Sequence, residues 1–230
     1  MTTDIKTGYE DLPRLISLMT GDEKHQAAAE STVDVLWVLY DRVLDITPEN
    51  VREPGRDRFL LSKGHGPMAY YAVLAKKGFI HEEELADWTS AESRLGHHPD
   101  RARLPVAEIS SGSLGHGLPL AIGTVFGLRA KGFRDAKVVT LVGDAELDEG
   151  SNQEAIAVAG RIGMPQLTAV VVDNSSATHG WPGGIARRFE VEGWTTRTVD
   201  GRDHDALHEA FTTPHPDRPL AVVATVERKA

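Results

Sequence analysis

The chain has 230 residues, with 34 acidic side chains against 25 basic ones for a formal net charge of −9, and it contains no cysteine. That length suits one large domain with room for a core, while the missing cysteines exclude a disulfide framework or a thiolate metal site. The acidic balance argues against nonspecific binding to nucleic acid or anionic lipid, and with no apolar run of transmembrane length and no signal-peptide-like start the expected location is cytoplasmic.

In chain order, Leu12 to Met19 reads as a short helix and His25 to Leu44 as a long one. Val33, Leu36, Trp37, Tyr40 and Leu44 form an apolar stripe at helical spacing in the latter. Phe59-Leu60-Leu61 reads as a short buried strand, and Gly66 to Lys77 as a helix closed by Gly78. Leu114 to Ala130 is predicted as an apolar helix containing Gly115, Gly117, Gly123 and Gly127. Glycine in a helix interior costs about 1 kcal/mol against alanine, so these glycines point to close approach of another backbone or a bound group. From Val138 the pattern runs strand, helix, strand, helix, strand, ending in Leu220 to Val226. This alternation predicts an α/β fold, a mostly parallel doubly wound sheet with helices on both faces. No repeat, low-complexity segment or linker divides the chain, so residues 1–230 are expected to form one domain.

The richest segment lies between Val142 and Ser176. The strand Val138-Val139-Thr140-Leu141-Val142 runs into Gly143-Asp144-Ala145, a helix follows through Glu149 to Ala155, and the strand Leu167 to Val172 delivers Asp173-Asn174. A right-handed crossover places Asp144 and Asn174 side by side at the carboxyl ends of neighbouring strands. One carboxylate and one amide oxygen suit a hard cation such as Mg²⁺, which completes its octahedron with phosphate oxygens and water. The plainer reading is that both side chains satisfy nearby backbone N–H groups in loops.

Further segments stand in order along the chain: Asp57-Arg58-Phe59-Leu60-Leu61-Ser62-Lys63-Gly64-His65-Gly66, Gly96-His97-His98-Pro99-Asp100, Ser111-Gly112-Ser113-Leu114-Gly115-His116-Gly117, Arg188-Phe189-Glu190-Val191-Glu192-Gly193-Trp194 and Val199-Asp200-Gly201-Arg202-Asp203. With the thirty-position spacing of Asp144 and Asn174, these resemble the N-terminal, diphosphate-binding half of a transketolase, specifically the smaller chain of a split transketolase, over about Leu12 to Thr225.

The resemblance implies thiamine diphosphate and Mg²⁺ as cofactors. Asp144, Asn174 and the backbone carbonyl of Ser176 would be metal ligands. His65, Gly112, Ser113, Leu114, Gly143 and Ala145 would join Asp144 and Asn174 around the cofactor, with His65 at the diphosphate and Gly112-Ser113-Leu114 at the aminopyrimidine ring. His25 would face the substrate hydroxyl or phosphate. His98 would help hold the donor oxygen, and His97 replaces the Gly that precedes it in the family. Glu149 and Glu154 would point into an interface linking two active sites. The chain departs from the family at Ala145, where a Gly is usual, and around His25, where Lys24 replaces a Gly and Gln26-Ala27-Ala28 replace Pro-Gly-Gly. A methyl at residue 145 could crowd the diphosphate or impose a backbone angle that Gly would escape.

The same resemblance implies transfer of a two-carbon ketol unit from a ketose or ketose phosphate to an aldose. No pyrimidine-binding domain, which in the family supplies the glutamate that activates the cofactor, is recognisable here. A partner carrying that domain is therefore expected, in an α2β2 heterotetramer. Two alternatives stay open: a 2-oxoacid decarboxylase or acyltransferase component using the same cofactor, and a noncatalytic structural or regulatory subunit. Bland readings stay open for single residues too: Ser113 as a helix cap, and His25, Glu149 and Glu154 as solvated surface residues.

Overall fold

The structure is a computed structural model that describes residues 6–21 and 28–227. Five parallel strands form one sheet in the order β1-β2-β3-β5-β4: β1 Arg58–Leu61, β2 Val138–Gly143, β3 Leu167–Asp173, β4 Thr195–Asp200 and β5 Leu220–Thr225. The helices are α1 Leu12–Leu18, α2 Val33–Val38, α3 Pro67–Lys76, α4 Gly117–Ala130, α5 Gly150–Ile162, α6 Gly184–Glu190 and α7 His204–Thr212. Among the described residues no helix is long and apolar enough to cross a membrane.

β2 and β3 are buried along almost their whole length, as parallel strands covered on both faces must be. Alternate residues feed two separate cores. Phe59, Leu61, Val139, Leu141, Val170 and Val172 pack with α1, α2, α3 and α7. Leu60, Val138, Val142, Ala169 and Val171 pack on the opposite face with α4, α5 and the Phe189–Trp194 segment. The expected doubly wound architecture is present, but where one helix is expected between β3 and the last strand the structure has α6, β4 and α7; β4 lies at the sheet edge, is partly exposed along its length and so carries no apolar run.

Two helix boundaries differ from the periodicity. The helix expected from His25 to Leu44 is interrupted in its described part. Residues 28–30 form a helical turn; α2 starts at Val33 and runs into a wider π-type turn, Leu39–Val43, closed by the Leu44 N–H on the Leu39 carbonyl at 2.8 Å. The cause is local. Ser31 Oγ and Thr32 Oγ1 both donate to the Ala28 carbonyl, at 2.9 and 2.7 Å, and so compete with the backbone for it. The helix expected from Leu114 begins instead at Gly117, because Gly112 and Gly115 have φ of +115° and +83°, outside helical space. Close approach holds at Gly117, where a Cβ would stand 2.2 Å from Ser62 Cβ, but not at Gly123 or Gly127, where a Cβ would meet nothing within 4 Å.

Near β4, buried Asp34 on α2 accepts hydrogen bonds from Tyr9 Oη at 2.5 Å, Arg202 Nη1 at 2.6 Å and His204 Nε2 at 2.7 Å. One carboxylate thereby ties the Lys6–Tyr9 turn and α2 to the β4–α7 connection.

Candidate functional site

Parallel strands collect their carboxyl ends on one rim, where an open α/β sheet leaves its crevice. Gly143 pairs with Val172, and the Asp144 N–H donates to the Val172 carbonyl at 3.2 Å, so β2 and β3 deliver Asp144 and Asn174 to the same place. Both side chains are buried, at 1% and 4% exposure. Asp144 Oδ2 accepts the N–H groups of Ser176 and Ala177 at 2.6 and 3.0 Å, and its Oδ1 accepts the Ser176 hydroxyl at 2.6 Å. This is the loop-closing role of the plainer reading. The Oδ1 of Asn174, in contrast, is buried and meets no hydrogen-bond donor. A buried amide oxygen left so is costly unless another group meets it. Ser175, between Asn174 and Ser176, has φ +56°, an uncommon conformation for a residue with a side chain.

A cavity of about 290 Å³ opens over this pair, and His65, Leu114, Gly143, Ala145 and Ser176 also line it. Ala145 opens a short 3₁₀ turn, Ala145–Asp148, and is not among the residues of positive φ, so its backbone does not require Gly. Its methyl lies half-buried at the cavity. Among the described residues no group of three or more His, Asp or Glu side chains is set for a metal.

The glycine segments meet one another. A Cβ on Gly64 would lie 3.1 Å from Leu114 Cδ2 and 3.6 Å from the Gly112 carbonyl, and one on Gly112 would lie 2.7 Å from His98 Cγ. The structure thus brings the His65, His98 and Gly112–Leu114 segments together, with His65 and Ser113 exposed. His97 turns elsewhere, edge-on to Trp88 with ring centroids 5.4 Å apart. Glu149 and Glu154 are exposed and do not line the cavity. His25 lies outside the described residues.

Three polar residues at the site were not singled out from sequence. Lys63 is buried, and its Nζ donates to Thr32 Oγ1 at 2.8 Å, Ser31 Oγ at 3.3 Å and the Ala28 carbonyl at 3.4 Å, fastening the 28–32 turn beside the cavity. Glu146, at 2% exposure, accepts hydrogen bonds from the Ser62 hydroxyl and from the N–H groups of Gly115 at 2.9 Å and Gly143 at 3.2 Å. Burial pushes its carboxyl above the usual range, against the pull of those donors. Ser62 in turn accepts the Gly117 N–H at 2.9 Å. Ser62 and Lys63 lay inside a motif with no separate signal; Glu146 lay in the acidic run from Asp144 to Glu149.

Residues 17–226 match the family described as transketolase, thiamine diphosphate binding domain. The chain is 55% identical over 222 residues to a Rhodococcoides fascians protein named Ferredoxin fas2, covering 96% of this chain and 73% of that protein. It is 32% identical over 213 residues to an apulose-4-phosphate transketolase subunit of Actinobacillus succinogenes, covering 90% of this chain and 77% of the relative. The transketolase from Leishmania mexicana shares the fold, with a TM-score of 0.81 and 21% identity over 97% of this chain, which spans 37% of that one. The match over most of the chain, on a sheet whose rim holds the residues of the motif, makes this protein a member of the transketolase family, within its thiamine diphosphate-binding domain.

Proposed function

We propose that the chain is the diphosphate-binding component of a transketolase-type enzyme, moving a two-carbon ketol unit from a ketose or ketose phosphate to an aldose with thiamine diphosphate and Mg²⁺. The observation that carries this reading is Asn174 Oδ1, buried beside the Asp144 carboxylate with no donor of its own. A cation meets that need, with Asp144 adding charge and the Ser176 carbonyl a further oxygen. His65, between two glycines at the cavity mouth, is suited to donate a ring N–H to phosphate oxygen. The 112–114 segment is read as lying along the ring end of the cofactor, and His98, packed against Gly112, as reaching the donor's oxygen. Thiamine diphosphate supplies the carbanion chemistry when bound; the chain holds and orients it.

A partner chain completes the proposal. Leu120 and Phe126 of α4 and Val158 and Ile162 of α5 are 43–48% exposed on two helices that pack together, an apolar surface suited to another protein. Glu149 and Glu154, exposed at and within the start of α5, are read as part of that junction. The Actinobacillus succinogenes relative, named as one subunit of a transketolase, supports a two-chain arrangement. The name Ferredoxin is not carried over, because iron–sulfur clusters are held by cysteine thiolates and this chain has none.

Asp144→Asn tests the site better than Asp144→Ala, since it removes the charge and keeps an oxygen for the Ser176 and Ala177 N–H groups. Calorimetry should show Mg²⁺-dependent thiamine diphosphate binding weakened by about tenfold or more in Asp144→Asn, and weakened less in Asn174→Ala, where a neutral oxygen is lost. Unchanged affinity in both variants would remove the cation from these residues.

A further inference from the structure

We infer that Glu146 is a positioning residue, a buried carboxylate that docks the 112–117 loop onto the ends of β1 and β2 and so sets the cavity wall against the organic part of the cofactor. This rests on the cofactor reading above.

A glutamate on a short 3₁₀ turn can reach water, and its neighbour Glu149 does. Glu146 turns inward, which is costly for a carboxylate unless donors converge on it. They come from three separate stretches: Ser62 after β1, Gly115 in the loop and Gly143 at the end of β2. Through Ser62, which accepts the Gly117 N–H, the same carboxylate also reaches the far side of the loop. The carbonyl of Gly115 is held as well, by the Ser151 hydroxyl at 2.7 Å. There is no slack in this arrangement, for a Cβ on Gly115 would lie 2.6 Å from Ser151 Oγ.

Next to the pinned glycine is Leu114, whose side chain forms cavity wall and packs toward Gly64. The oxygens of Asp144 and Ser176 are held by different bonds, those of the loop after β3. The site therefore has two parts held mainly by different bonds, a polar end fixed by Asp144 and an apolar wall fixed by Glu146, which share only the Gly143 N–H. Releasing the wall should harm binding of a ligand with an organic ring far more than binding of its anionic end alone.

The chain, mixed with a partner that carries a pyrimidine-binding domain and with Mg²⁺ in excess, would be titrated calorimetrically with inorganic pyrophosphate and with thiamine diphosphate. Glu146→Ala should lose about tenfold or more in thiamine diphosphate affinity while pyrophosphate affinity changes by less than about twofold. Glu146→Gln should restore part of the loss, because its amide oxygen can face Ser62 and Gly115 while its NH2 is left facing the Gly143 N–H. Ser62→Ala should show the same split, smaller, and it carries the test if Glu146→Ala does not fold. Equal losses for both probes, or no loss for either, would overturn the role of Glu146. Wild-type chain that fails to bind thiamine diphosphate even in the presence of that partner would instead overturn the cofactor reading on which it rests.

Discussion

Asp34 shows how one side chain can act as a structural joint and how it can be tested. Burial pushes its carboxyl up, but the hydrogen bonds from His204, Tyr9 and Arg202 together draw it below the ordinary value of 3.8. A carboxylate with a depressed folded-state pKa stabilises the fold above its unfolded value, and the contribution is lost as pH falls through the folded value. Asp34→Asn should therefore cost about 1–3 kcal/mol at neutral pH, and the gap to wild type should close as the pH falls below 3.8; urea melts across that range would show it, and a pH-independent gap would not fit. Sequence spacing reached Asp144 and Asn174, because a strand–helix–strand unit dictates which loop ends become neighbours. Glu146 was out of its reach. Its partners Ser62 and Gly115 lie 84 and 31 positions away, and only the assembled rim shows that an acid within an acidic run is buried.

Helices were legible by face, less so in number and at their ends. The stripe from Val33 to Leu44 marked the buried side of α2 and its continuation, but the hydroxyls of Ser31 and Thr32 divide the helix by bonding the Ala28 carbonyl. In the helix expected from Leu114 to Ala130, composition alone made four glycines equivalent; the backbone separates them. Gly117→Ala should destabilise the fold by several kcal/mol, as its methyl would overlap Ser62 and force the rim apart, roughly as overpacked cores do. Gly123→Ala, with open space around it, should raise the stability of the isolated chain by about 0.5–1 kcal/mol. Thermal melts of the two variants should move in opposite directions. The same Gly123 methyl stands on the open side of α4 with exposed Leu120, so it is also expected to weaken association with a partner chain.

For the whole molecule, the chain alone should show no ketol transfer and only weak cofactor binding, and both should appear on mixing with a partner that carries a pyrimidine-binding domain. Robust turnover by the isolated chain, assayed with ketose phosphates, would rule out that dependence. The parallel sheet and its two covered faces were readable from alternating strand and helix patterns, since buried β2 and β3 are nearly continuous apolar runs. Which helices cover which face came only from the structure. That division has an energetic consequence. Among the described residues the two cores are separate clusters on opposite faces of the sheet, whose opposite side chains point apart, so a cavity cut on one side leaves the packing on the other intact. In a double-mutant cycle, Leu36→Ala and Ile156→Ala, one from each core, should have free-energy costs that sum to within about 0.5 kcal/mol, so that each face of this molecule absorbs its own damage.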